Sequence, residues 1–424
     1  MIEIITKINS AVNNFVWGPV MLLLLVGTGV YLTARTGCIQ AAKFGYIMRN
    51  TVGSLFRRRE KRDKDAKNLT PFQAVTTALA GTVGTGNIAG VTGAIFAGGP
   101  GAVFWMWFAA FFGMFTKFAE IVLALKYRQV DENGVHYGGP MYYIEKGLGM
   151  KWLAVLFSLV AGFACFGIGN ISQSSEIAGA MEGLFGMSGL TTGVLLAVVV
   201  GIVVLGGVQR IGRVTSYMVP FMAIFYIGAG LAVILLRIDQ VPAALASIFT
   251  SAFSFEAVGG GVFGYAIMVA MRQGFARGVF SNEAGLGSAP MAHAASETQE
   301  PVEQGMWGVF EVFIDTIVIC SCTALIMLVT PEENIAGLQG MDLLQASMQY
   351  HLGQFGVVFI ALVLWLFSFS TFIGILFYAR SNVAYLFGDN WVSQTGYKVL
   401  ALVMLFIGGM ATYTFVWDLG DVGI

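Results

Sequence analysis

Apolar residues run along this chain in long stretches separated by short polar or basic connections, and the stretches have the length of membrane spans. Crossing the hydrocarbon core takes roughly 20 mostly apolar residues in a helix. The pattern predicts ten such helices: Val12 to Ala34, Pro71 to Ala97, Ala102 to Lys126, Trp152 to Met181, Thr191 to Val208, Thr215 to Leu236, Val262 to Val279, Gly305 to Val329, Gly356 to Tyr378 and Trp391 to Val416. Ala243 to Val258 is shorter and carries Ser247, Ser251, Ser254 and Glu256. It predicts an amphipathic lid or half-helix, set off from the next span by Gly259, Gly260 and Gly261.

The second span is interrupted by Thr82-Val83-Gly84-Thr85-Gly86-Asn87. Each unpaired backbone group costs several kcal/mol in hydrocarbon, so non-helical backbone persists only where protein or a polar cavity satisfies it. Half-helix ends can hold an anion on amides and a cation on carbonyls. The interruption therefore predicts a small-ion or small-solute site near the bilayer midplane. Close helix packing is the other use of such glycines, but threonines and an asparagine beside them favour the site.

Composition agrees with the pattern. The chain has 424 residues, 57% hydrophobic and 11% charged, with a mean hydropathy of +0.76. These values exclude a soluble globular protein and leave an all-α, polytopic transmembrane bundle. The net charge of -1 points to no nucleic-acid partner. Its distribution is more informative. Arg57, Arg58, Arg59, Lys61, Arg62, Lys64 and Lys67 follow the first span, which by the positive-inside rule puts that loop in the cytoplasm and the N-terminus outside. Alternation then makes Lys126, Arg128, Lys146, Lys151, Arg210, Arg213, Arg272, Arg277 and Arg380 cytoplasmic, whereas the loops Glu182 to Gly189 and Pro331 to Leu352 hold no Lys or Arg. The even count leaves the C-terminus outside.

Cys38, Cys165, Cys320 and Cys322 form no CxxC and lie near no histidine cluster, so neither disulfides nor zinc are expected. The start lacks a signal peptide's basic region and cleavage site, so the first apolar segment should remain as a helix. No GxxxxGK, HExxH or GxSxG occurs, which removes the usual marks of ATP drive and of an intramembrane enzyme.

Four motifs in chain order resemble the alanine/glycine:cation symporter family: Thr82 to Gly90 (TVGTGNIAG), Gly98 to Trp107 (GGPGAVFWMW), Gly138 to Tyr142 (GGPMY) and Arg277 to Ala289 (RGVFSNEAGLGSA). The resemblance implies a LeuT-like fold of five helices and an inverted copy, the first helix of each discontinuous, with one extra N-terminal helix. On that template a single transporter domain, 1–424, holds the extra helix at 12–34, a first repeat at 71–236 and a second at 243–416. The family's further helix after Trp417-Asp418 is expected to be lacking. Also implied is sodium-coupled import of alanine or glycine across the cytoplasmic membrane by alternating access, with Na+ as coupling ion and no cofactor. The expected partners are the amino acid, Na+ and the lipid bilayer. Proton-coupled symport with Asp315 as carrier is the alternative, and a channel filtered by Gly84 to Gly86 is a more distant one.

Within that reading, the amides of Thr85 and Gly86 face a substrate carboxylate, because glycine lets backbone approach closely and a half-helix begins there. Carbonyls of Ala80, Thr82 and Val83, with the Asn87 side chain, are hard oxygen donors suited to Na+. Ser370 and Thr371, with Ser368 nearby, match by resemblance the helix that completes a second sodium site. Alone, their hydroxyls would be read as bonding back to the preceding turn. Asn170 and Gln173 are candidate substrate ligands or interhelical glue. Ile375 stands where the family usually has a tryptophan, which implies more room for the substrate side chain. Glu311 and Asp315, one helical turn apart, are candidate coupling carboxylates. Pairing of Glu311 with Arg272 or Arg277 is the structural alternative. Lys117 and Glu120 read as an interfacial pair, and His136, His293 and His351 carry no assigned role.

Overall fold

The computed structural model describes residues 18–57, 67–253, 263–338 and 340–410, and most of these are helical. Helix α1 (Pro19–Arg35) leads through three short helical segments to the interrupted span. That span starts at a full capping box: Thr70 Oγ1 accepts the Gln73 N–H at 3.1 Å, and Gln73 Oε1 accepts the Thr70 N–H at 3.1 Å. Pro71 at the first helical position costs no hydrogen bond there. The span is α2 (Pro71–Thr82), a tight turn at Thr85–Asn87, and α3 (Ala89–Gly98), and its halves are bent by 60°. Then come α4 (Gly101–Lys126), a small antiparallel hairpin pairing Gln129 with Tyr137, and α5 (Pro140–Leu148).

Helix α6 (Lys151–Phe163) continues through a π-helical turn, Ala164–Gly169, into α7 (Asn170–Phe185). Helices α8 (Gly189–Val204), α9 (Gly207–Leu236) and α10 (Val241–Phe253) follow. A second interruption separates α11 (Phe263–Asn282) from α12 (Ala289–Ala294). Helix α13 (Pro301–Val312) passes through another π-helical turn, Phe313–Cys320, into α14 (Ser321–Leu328). The described part closes with α15 (Gly340–Leu352), α16 (Gln354–Phe387) and α17 (Trp391–Met410).

Each predicted span coincides with a helix or a divided helix. Residues 12–17, 262 and 411–416 of the predicted spans lie outside the described residues, as do 254–258 of the predicted lid, Gly259 to Gly261, and 417–424. Among the described residues, five helices, one of them α13 and α14 taken together through their π-turn, are long and apolar enough to cross a membrane alone, and the bent pair makes a sixth. Helix α6 by itself is shorter than such a span. Two boundaries move. Helix α9 begins at Gly207 rather than Thr215, so Arg210 and Arg213 are helical, with Arg210 Nη1 donating to Ile202 O at 2.8 Å. Helix α16 runs on to Phe387, and Arg380 within it pairs with Asp389 at 2.8 Å. Long basic side chains can reach out of a helix end to polar surroundings, so apolarity alone sets both boundaries too early.

Large apolar side chains such as Leu23, Tyr217 and Ile224 are more than two-thirds exposed on the outside of the bundle, as suits a lipid-facing surface. Inside, α2 separates two apolar clusters. Val75, Leu79 and Val83 pack with Tyr226, Trp307 and Phe367, while Ala74 and Ala78 pack with Phe369, Phe372 and Tyr378. Every residue from Ala74 to Val91 is buried, so the interruption lies at the centre of the packing rather than on a surface.

Candidate functional site

The helical ladder of α2 ends where Val83 N–H donates to Leu79 O at 2.8 Å. The next amide, Gly84, donates to Asn87 Oδ1 at 2.9 Å instead of to Ala80 O. The chain then turns, with Asn87 N–H on Gly84 O at 3.3 Å and Ile88 N–H on Thr85 O at 3.1 Å. Among the described residues, the carbonyls of Ala80, Gly81 and Thr82 receive no backbone amide, and the amides of Thr85 and Gly86 find no backbone acceptor. Every helix end leaves such groups. Here both kinds are buried within a few residues of one another.

Helix α16 meets this turn. Ser370 Oγ donates to Phe367 O at 2.8 Å and reaches Val83 O at 3.4 Å, and Thr371 Oγ1 donates to Phe367 O at 2.9 Å. A Cβ on Gly84 would lie 2.3 Å from Thr371 Oγ1, and one on Gly374 would lie 2.4 Å from Gly81 N. The two helices touch so closely because both positions lack side chains. The structure thus gathers Ala80, Thr82, Val83, Ser370 and Thr371 at one place. Both hydroxyls do bond back to the preceding turn, but each oxygen keeps acceptor capacity. Uncharged hard oxygens of this kind could hold a small cation. Ser368 Oγ, one turn earlier, is buried without a partner among the described residues.

On the substrate side a cavity of about 380 Å³ is lined by Gly84, Gly86, Gln173, Phe280, Thr371 and Ile375, among others. Gln173 Nε2 donates to Thr85 Oγ1 at 2.8 Å, and its Oε1 is buried without a partner among the described residues. The two candidate substrate ligands are therefore in contact. Asn170 is fully buried, neither of its amide atoms is bonded among the described residues, and it is not among the residues that line the cavity. Ile375 packs on the π-turn preceding it: a Cβ on Gly169 would stand 2.5 Å from Ile375 Cδ1. Such π-turns shift the register of a helix face and recur at functional sites.

Asp315 lies in the other π-turn and is fully buried. Its carboxylate accepts hydrogen bonds from Asn87 Nδ2 and Ser281 Oγ, both at 2.7 Å, and from Thr316 Oγ1 at 2.8 Å. The side chain of Asn87 is thus divided: its oxygen holds the Gly84 amide, leaving one lone pair for a cation, while its nitrogen holds Asp315.

Glu311 takes different partners from the arginines considered above. Its Oε1 is 3.4 Å from Lys117 Nζ and its Oε2 is 3.0 Å from His293 Nε2, and all three side chains are fully buried. Gln304 Nε2 donates to His293 Nδ1 at 2.7 Å, which leaves Nε2 as the ring nitrogen that carries a proton toward Glu311. Lys117 is accordingly not half of an interfacial pair with Glu120, and His293 is not an idle loop residue. Glu120 Oε2 instead accepts the Gly285 N–H at 3.2 Å. Ser281 lies within the Arg277 to Ala289 motif, so its neighbourhood is marked in the sequence. Lys117 and His293 had no comparable signal beyond a polar residue in apolar surroundings.

Residues 2–424 match the sodium:alanine symporter family. The sodium/alanine symporter AgcS of Methanococcus maripaludis is 43% identical over 426 residues, spanning 99% of this chain and 91% of that protein. The probable sodium/glutamine symporter GlnT of Bacillus subtilis is 38% identical over 421 residues, spanning 99% and 86%. Among solved structures, a manganese transporter of Eremococcus coleocola has a TM-score of 0.59 at 11% identity, covering 87% of this chain and 77% of that one, which is a likeness of fold. With its all-helical membrane fold, its four motifs and this match along almost its whole length, the chain belongs to the sodium:alanine symporter family: it is a multi-pass membrane transporter that carries out cation-coupled amino-acid symport, not an enzyme.

Proposed function

We propose that the chain imports a small neutral amino acid together with Na+ across the cytoplasmic membrane, with its N-terminus outside, by alternating access. The observation that carries this reading is the meeting of the Ala80 to Thr82 carbonyls, which receive no backbone amide among the described residues, and of Val83 O with the Ser370 and Thr371 hydroxyls, a few residues from the Thr85 and Gly86 amides, which find no backbone acceptor there. Na+ binds the carbonyl and hydroxyl oxygens, and the substrate carboxylate binds the amides beyond Gly84. Because both ligands order the same turn, each strengthens the other, and the coupling is reciprocal. Two relatives support Na+ as the ion by their names, one an alanine and one a glutamine symporter.

Alanine and glycine are the first substrates to test. Ile375 in place of an indole leaves room for a larger neutral side chain, and the cavity of about 380 Å³ has that room. The experiment is uptake of labelled L-alanine, glycine and L-glutamine into proteoliposomes under an inward gradient of Na+, K+ or protons. Accumulation with Na+ alone is expected. Accumulation driven by a pH gradient without Na+ would replace this reading with proton symport.

A further inference from the structure

A basic segment rests against the helix that carries Asp315. After α1 the chain turns through three short helical segments, Ile39–Ala42, Phe44–Asn50 and Val52–Leu55. Their inner positions, Gln40, Ile47 and Thr51, are buried. Gln40 Nε2 donates to Thr33 Oγ1 at 2.9 Å, which fixes the segment to α1. Ile47 shares an apolar cluster with Val309 and Val312 of α13 and with Ala284 in the second interruption. The rings of Phe44 and Phe313 meet edge to face at 4.9 Å. Phe313 opens the π-helical turn that holds Asp315.

The outer positions have a different chemistry. Arg35, Lys43, Arg49 and Arg57 are exposed, and none of them forms an ion pair among the described residues. The sequence has no acidic residue between Glu3 and Glu60, and Arg58 and Arg59 continue the basic run. Tyr46 and Phe56 stand among these charges, each more than half exposed, and the Arg49 guanidinium lies 5.7 Å over the Tyr46 ring. The positive-inside rule asks only for positive charge in a loop. It does not ask for that charge on an ordered segment, beside exposed rings, with an inner face packed on the transport helices. Basic side chains beside exposed apolar groups suit a segment lying in the membrane interface, where anionic headgroups supply the counter-charge. We propose that residues 35–57 bind anionic phospholipid headgroups of the cytoplasmic leaflet through Lys43, Arg49 and Arg57, and that the bound lipid holds the segment on α13 and so supports uptake. This site depends on the orientation proposed above but on no particular substrate.

The test is retention of phosphatidylglycerol against phosphatidylcholine by the purified full chain in neutral detergent, read as lipid bound per protein. Wild type is expected to prefer phosphatidylglycerol, and Lys43→Gln with Arg49→Gln to lose about tenfold or more of that preference. Lys126→Gln with Arg213→Gln removes the same charge from exposed positions outside the segment and should keep it. Equal retention of the two lipids by wild type, or an unchanged preference in the Lys43 and Arg49 variant, would overturn the site. So would displacement of the lipid by millimolar inorganic phosphate, which would mark a free-anion site instead. Alanine uptake should be several-fold faster in vesicles containing phosphatidylglycerol than in phosphatidylcholine alone. Phe44→Ala should keep the lipid preference and lose that difference. A Phe44→Ala chain stimulated by phosphatidylglycerol as strongly as wild type would overturn the link through α13 and leave the amino-acid reading intact, whereas lipid binding without uptake in either vesicle would count against that reading alone.

Discussion

Asn87 Nδ2 lies 2.7 Å from Asp315 Oδ1, while Oδ1 of the same side chain accepts the Gly84 N–H at 2.9 Å. One amide group therefore shapes the turn of the broken span and binds it to the carboxylate of the helix opposite. Gly84 in turn lies against Thr371 Oγ1, so the buried carboxylate is two contacts from the proposed cation site. Asn87→Ala removes both bonds and leaves the Gly84 amide and Asp315 each short of a partner. At about 1–3 kcal/mol for each unsatisfied buried group, the Na+ concentration for half-maximal uptake should rise by about tenfold or more. Initial rates of alanine uptake across a Na+ series measure this, and an unchanged half-maximal concentration would show that the turn does not depend on Asn87.

Gln173→Leu should act on the other ligand. It removes the 2.8 Å bond to Thr85 Oγ1 and puts an apolar group on the cavity wall. The loss of one or two buried hydrogen bonds predicts a half-saturating alanine concentration about 5- to 30-fold higher, with much of the maximal rate kept. Saturation curves at high Na+ check this, and a variant that lost maximal rate alone would give Gln173 a role in movement instead.

The contact of α16 with α2 has no space for a methyl group. Gly374→Ala would put a Cβ 2.4 Å from Gly81 N. Overpacking of this kind costs about 1–3 kcal/mol or more, and here it separates Ser370 and Thr371 from the carbonyls they face. Uptake should fall steeply and the melting temperature in detergent should drop. Gly396→Ala, in α17 with nothing within 4 Å of its Cβ, is the matched control and should melt no lower than wild type.

Lys117, Glu311 and His293 make a buried chain whose parts depend on one another. Lys117→Met leaves Glu311 without its cation, a loss of about 3–5 kcal/mol for a broken buried pair. Lys117→Met with Glu311→Gln removes both charges while keeping an acceptor for His293 Nε2, and should recover most of that loss. Thermal unfolding of the single and double variants in detergent tests the coupling. Equal melting of the two would mean that the ion pair at 3.4 Å contributes nothing as a pair.

Much of this architecture is legible in the residue pattern, because hydrocarbon permits few alternatives. A span must be long and apolar, so the helices are found to within a few residues. The break at Thr82 to Asn87 announces itself through glycines that no uniform helix needs. Residues tied to the break by chain distance or by motif, such as Thr85, Ser370 and Thr371, lie in or beside it. Partnership across helices is harder to read. Asp315 is legible as a buried carboxylate, but its donors Asn87 and Ser281 arrive from two other elements. Lys117 and His293 are single polar residues whose burial depends on the docking of α4, α12 and α13. The π-turns at Ala164–Gly169 and Phe313–Cys320 leave no mark in an apolar pattern, yet the first puts Ala164, Cys165 and Gly169 on the cavity wall and the second holds Asp315.

The most direct test is a Na+ titration of alanine binding to wild type and to Thr371→Ala. The account predicts that alanine binds wild type only when Na+ is present, and that the variant needs at least about tenfold more Na+ for the same occupancy. Equal Na+ requirements in the two proteins, with alanine bound normally, would contradict the placement of the coupling ion between the broken helix and α16.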